Sequence, residues 1–121
     1  MALRKLVFVV DDDPGTLRGV ERLLKARGFD TEVFDSAEAF LDVAAPRSAV
    51  CVILDIHLKG MSGIELTHRL ASSGRAIPVI IMTAHDTDAL RRTALNAGCI
   101  AYLCKPFSAS SLIDAVSRAA A

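Results

Sequence analysis

Apolar residues fall along this chain in two kinds of run. Lys5 to Val10 (KLVFVV), Val50 to Leu54 (VCVIL) and Pro78 to Met82 (PVIIM) are almost continuous in apolar and β-branched residues. That is the pattern of strands covered on both faces, since half-exposed strands alternate. Thr31 to Phe34 and Ile100 to Leu103 read as two weaker strands. Between the runs helical spacing takes over. Asp13 supplies a cap and Pro14 a first helical residue. Leu17, Val20, Leu23 and Leu24 follow on one face, and Gly28 is the stop. Ser36 caps a short helix carrying Phe40 and Leu41. Ser62 or Gly63 opens a third, with Ile64, Leu66 and Leu70 inward. Asp86 or Thr87 opens a fourth, with Leu90, Ala94 and Ala97 inward and Gly98 as its stop. Ser108 caps a fifth, with Leu112, Ile113 and Val116 inward.

Five strand–helix units joined by short loops predict an α/β fold, a parallel sheet with helices on both faces and right-handed crossovers. In such sheets ligands bind beyond the carboxyl ends of the strands. The polar residues that follow the apolar runs therefore matter most. Asp11, Asp12 and Asp13 follow the first run, Asp55 the third, Thr83 the fourth and Lys105 the fifth. Each is unremarkable alone: DDDP is most often a helix cap, and a lysine before proline is usually a surface turn residue. Their convergence on one sheet edge is what separates them from that background.

Composition narrows the reading. The chain has 121 residues, 52% of them hydrophobic and 23% charged, which predicts one globular domain over residues 1–121. Lysine plus arginine and aspartate plus glutamate number 14 each. No basic excess draws this domain to nucleic acid or to an anionic membrane. No run approaches the ~20 apolar residues of a membrane span, and the N-terminal run is too short and too acidic for a secretory signal. Cys51, Cys99 and Cys104 form no CxxC pattern. The expectation is a cytoplasmic chain with reduced thiols that act as small buried hydrophobes.

Carboxylates gathered at one edge repel each other, and a hard divalent cation relieves that repulsion. Oxygen ligands favour magnesium, manganese or calcium over zinc. A carboxylate can also attack phosphorus and become an acyl phosphate. The transferring group then needs cations and donors around it, which Lys105, a metal ion and the Thr83 hydroxyl can supply. The constellation points to phosphoryl transfer onto an aspartate.

At these residues the chain resembles the receiver domains of two-component signalling, through VVDDDP, ILDIHLKGMSG, IIMTAHD and AYLCKPF in that order. The likeness runs from Lys5 to the last helix. It implies a flavodoxin-like, doubly wound sheet of strand order 2-1-3-4-5 in a three-layer sandwich with five helices. It implies Asp55 as phosphoacceptor and a Mg2+ or Mn2+ cofactor held by Asp12, Asp55 and the His57 backbone carbonyl, with Asp11 the indirect member of the acidic pair. The His57 imidazole is not needed as a ligand to that ion. Thr83 is implied as the switch hydroxyl, with the Ala84 amide beside it. Lys105 pairs with the phosphoryl group before a cis bond to Pro106, and Tyr102 is the switch aromatic.

The implied partners are a sensor histidine kinase or phosphotransfer protein, and an output domain or protein reached through the fourth helix, fifth strand and fifth helix. That face carries Arg91, Arg92, Tyr102 and the segment Ser110 to Arg118. A phosphorylation-dependent homodimer through it is expected. The overall flavour is similar to receivers of the nitrogen-fixation regulator type, which precede a DNA-binding domain. Lys59 and Leu58 depart from the proline and methionine common in that loop. His85 and His57 stand where family members tune hydrolysis of the acyl phosphate, and His68 reads as a surface residue. A magnesium-dependent phosphatase is the alternative, disfavoured because no second acid stands two residues after Asp55. A receiver that only binds is disfavoured because every chemical position is filled.

Overall fold

The computed structural model describes residues 5–42, 48–74 and 77–121. Strands and helices alternate along the chain. They are β1 (Leu6–Val10), α1 (Pro14–Ala26), β2 (Asp30–Phe34), α2 (Ala37–Leu41) and β3 (Cys51–Asp55), then α3 (Gly63–Ser72), β4 (Val79–Thr83), α4 (Asp88–Asn96), β5 (Ala101–Cys104) and α5 (Ala109–Ala120). The strands form one sheet of order β2-β1-β3-β4-β5, parallel throughout. This is the doubly wound topology that the resemblance implied.

The continuous apolar runs are buried on both sides, as their pattern predicts. Alternate residues of each strand serve opposite cores. Phe8, Val10, Val52, Leu54 and Ile81 join Phe40 of α2, Leu66 and Leu70 of α3 and Ala94 of α4. Val7, Val9, Ile53, Ile80 and Met82 join Val20 and Leu24 of α1 and Leu112 and Val116 of α5. In the first core Phe8, Phe34 and Phe40 meet edge to face, with centroids 5.3 to 6.0 Å apart, the arrangement that aromatic quadrupoles favour.

The helix starts follow the caps. The side chains of Asp13, Ser36, Ser62, Thr87 and Ser108 each accept a backbone N–H in the first turn of their helix. The two open choices thus fall to Ser62 and Thr87. The strands differ from expectation in a way that matters for the site. Asp55 and Thr83 do not follow β3 and β4 but close them, in register with Met82 and Cys104. The apolar run understates the strand because its last residue is polar yet still buried. Cys51 and Cys99 are buried as expected, while Cys104 is half-buried. Burial pushes the Cys51 thiol up to about 12, which leaves it inert as a nucleophile. Among the described residues no helix is long and apolar enough to cross a membrane.

Candidate functional site

Three strand ends deliver the charged groups. Beyond β1 the Asp11 N–H donates to the Phe34 carbonyl (3.1 Å), which keeps Asp11 in line with the sheet and fully buried. Asp13 is used locally. Its Oδ2 accepts from the Thr16 hydroxyl (2.7 Å) and the Thr16 amide (3.2 Å), and these bonds hold its carboxyl below the ordinary aspartate range. Beyond β5 the Lys105 N–H donates to the Thr83 carbonyl (2.7 Å), and the Lys105–Pro106 bond is cis, as the resemblance implied.

The Lys105 ammonium then reaches both buried acids. Its Nζ lies 2.7 Å from Asp11 Oδ2 and 3.0 Å from Asp55 Oδ2. The other carboxylate oxygens are held by backbone amides: Asp13 N–H donates to Asp11 Oδ1 (2.9 Å) and His57 N–H to Asp55 Oδ1 (3.1 Å). Burial raises the pKa of Asp11, assisted by the nearby Asp55 charge, while the bonds from Lys105 and the Asp13 amide oppose the rise. Burial works against the Lys105 charge, but hydrogen bonds to Asp11 and Asp55 outweigh it and lift Lys105 above the ordinary lysine value.

Asp12 is different. It is half-buried, and its side chain makes no hydrogen bond or ion pair among the described residues. One carboxylate oxygen from each of Asp11, Asp12 and Asp55 lies within 4.8 Å of the others. Three carboxylates against one ammonium leave the pocket net negative. An oxygen-only donor set of this charge fits a hard divalent ion such as magnesium. Asp12 is the member with oxygens to spare, whereas both Asp11 oxygens already accept bonds.

Thr83 closes β4 fully buried, and its Oγ1 accepts the His85 N–H (3.1 Å). That bond uses a lone pair and leaves the hydroxyl proton to donate. Ala84 follows, exposed. Tyr102 lies outside the acid pocket, on β5, with its ring packed against the core beneath α2, α3 and α4. The Arg91 guanidinium sits over the ring, 5.4 Å from its centroid, and pairs with Asp86 at 2.6 Å. Burial, with the Asp86 carboxylate adding to it, pushes the phenol up to about 12. The Tyr102 hydroxyl is buried with no hydrogen-bond partner among the described residues. A buried hydroxyl without a partner carries an unmet desolvation cost.

Two contributors escaped the sequence reading. Gly63, considered only as a helix start, lies so close behind the site that a Cβ there would overlap the Asp55 carbonyl oxygen and come within 2.9 Å of Ile56 Cα. Its N–H donates to the Ile56 carbonyl (3.1 Å). Glu38, on α2, accepts the Met61 N–H (3.1 Å) and braces the loop after Asp55 at Gly60, whose φ is +75°. A glycine directly after the Ser62 cap, at the first position of α3, was a usable signal for the first. Nothing local marks a glutamate on an exposed helix face as a loop brace.

Comparison with known proteins gives the family and the fold. Residues 7–117 match the family model described as the response regulator receiver domain. The chain is 34% identical over 119 residues to the transcriptional regulatory protein FixJ of Bradyrhizobium diazoefficiens, covering 98% of this chain and 58% of that protein. It is 32% identical over 114 residues to the response regulator protein TmoT of Ectopseudomonas mendocina, covering 94% and 52%. The chain thus spans about half the length of the curated relatives it matches. The receiver domain of the Francisella response regulator 1452 superposes with a TM-score of 0.90 at 27% identity, covering 97% of each chain.

Proposed function

From the premise that this chain belongs to the response regulator receiver domain family, whose general function is phosphorylation-activated signalling, we propose that Asp55 is its phosphoacceptor. The whole described chain is then one receiver unit, charged by a histidine kinase or phosphotransfer protein. The observation that carries this reading is the Lys105 ammonium, bonded at once to Asp11 (2.7 Å) and Asp55 (3.0 Å) from three separate strand ends.

In the proposed step an Asp55 carboxylate oxygen attacks phosphorus, an O–P bond forms, and the P–N bond to the donor histidine breaks with its electron pair. Lys105, already on Asp55 Oδ2, is within reach of a phosphoryl oxygen on that carboxylate, and its raised pKa keeps it charged. The Thr83 hydroxyl has its proton free to donate, and the Ala84 amide follows in the chain. Asp12, Asp55 and the His57 carbonyl would hold a magnesium ion, with Asp11 acting through Lys105 and the Asp13 amide. When bound, that ion neutralises charge on the transferring group.

The response then runs through Thr83 toward Tyr102, whose hydroxyl has no hydrogen bond to break when the ring turns. The affected surface is α4, β5 and α5, carrying Arg91 and Arg92 and serving an output domain, a protein partner or a second copy. FixJ is a transcriptional regulator by name, and a transcriptional output follows for this chain on the same reading. An unchanged sedimentation coefficient with and without a phosphoryl mimic would overturn the dimer. His57 and His85 flank the acceptor, and we assign them the tuning of acyl-phosphate hydrolysis. A dephosphorylation rate unchanged in His85→Ala would remove that assignment.

The central test is intact-protein mass spectrometry after incubation with phosphoramidate, with and without Mg2+, on the wild type and Asp55→Ala. Metal-dependent gain of one phosphoryl group, absent in the variant, is expected. Gain that survives in the variant would place the acceptor elsewhere.

A further inference from the structure

Of the chain's three histidines, two meet at the rim of the acceptor pocket. The rings of His57 and His85 have centroids 5.6 Å apart and planes inclined at 73°. The backbone fixes this approach. His57 N–H is tied to Asp55 Oδ1 and His85 N–H to Thr83 Oγ1, each at 3.1 Å. The strands they leave are paired with each other as far as Asp55 and Met82, and Ile56 N–H still donates to the Met82 carbonyl (3.0 Å) beyond that pair. Both residues are exposed, and neither ring has a hydrogen bond or ion pair among the described residues. Their nitrogen lone pairs are uncommitted.

Neutral imidazole is the commonest side-chain ligand for zinc, copper and nickel, and a poor one for magnesium. With metal–nitrogen bonds of about 2.0–2.1 Å, a centroid separation of 5.6 Å is within the span of two imidazoles on one ion once these exposed rings turn their nitrogens toward it. We propose that His57 and His85 form a two-imidazole site for a transition ion of the Zn2+, Ni2+ or Cu2+ class, distinct from the oxygen-lined pocket of Asp11, Asp12 and Asp55. Water fills the remaining positions. An ion held there ties the loop after β3 to the loop after β4.

The test is calorimetric titration of Ni2+ into the untagged chain with Mg2+ in large excess, so that the hard ion occupies the acid pocket. One Ni2+ per chain is expected. Loss of an outer partner alone costs a metal site about 10–100-fold, so losing one of two ligands in His57→Ala or His85→Ala should weaken binding by about tenfold or more. His68→Ala and Asp12→Asn should bind as the wild type does. Both rim histidines are exposed, so the variants keep their fold, which circular dichroism verifies. Absent binding in the wild type overturns the proposal. So does a loss confined to one of the two histidines, or an equal loss in His68→Ala or Asp12→Asn. No phosphoryl transfer enters this titration, so its result stands apart from the acceptor assignment.

Discussion

Two ion pairs on this protein have nearly equal lengths and unequal weight. At the strand ends Lys105 lies 2.7 Å from Asp11, and on the α4 side Arg91 lies 2.6 Å from Asp86. The first pair is sealed, with the Asp11 side chain 0% and the Lys105 side chain 18% exposed. The second is open, with Arg91 at 48%. In the sealed pair water cannot replace a lost cation, so the two buried acids depend on Lys105, which itself has both of them as partners. In the open pair solvent stands ready to substitute, and the ion pair contributes little to stability. Distance alone would rank them as equals. On the proposed function, the buried pair suits a site where arriving charge is felt, and the open pair suits a surface that rearranges at low cost.

The sharpest way to break the contrast is Lys105→Met, which leaves Asp11 and Asp55 facing each other without their cation. A loss of about 3 kcal/mol is expected at neutral pH, measured by urea unfolding. Magnesium should act in the opposite sense. At tenfold its Kd it stabilises the fold by about 1.4 kcal/mol in the same assay, and Asp12→Asn should remove most of that gain. Asp11→Asn sharpens the comparison through pH. The folded pKa of Asp11 is raised, chiefly by burial. Its ionised form therefore costs stability above that folded pKa, and the cost disappears as pH falls toward the unfolded value. The variant should be the more stable at neutral pH, with the difference closing toward acid. Arg91→Ala, on the open side, should leave the urea midpoint unmoved.

Much of this was legible in the chain. Unbroken apolar runs such as PVIIM suit doubly covered strands, and β4 is buried throughout. The caps located the helix starts because serine, threonine and aspartate side chains compete for free amides wherever a helix begins. The functional edge was readable because polar residues ended four of the runs. The exact strand ends were not, since a buried aspartate or threonine breaks an apolar pattern without ending hydrogen-bond pairing. Strand order came only through resemblance, because the pattern names strands but not their neighbours. The pairing of His57 with His85 depends on the register of β3 against β4, which no local pattern carries. Glu38 was invisible for a related reason: its partner amide at Met61 belongs to a loop whose path is set by tertiary packing.

The glycine behind Asp55 has a mechanical side. With no side chain at Gly63, the first turn of α3 backs directly onto the acceptor's carbonyl and the Cα of Ile56. That turn acts as an anvil. On the proposed acceptor role, a bulky dianion on the front of Asp55 would meet no slack behind it, and the exposed Ala84–His85 segment is where the molecule could give. The direction of such a signal would then be decided by where the molecule cannot yield.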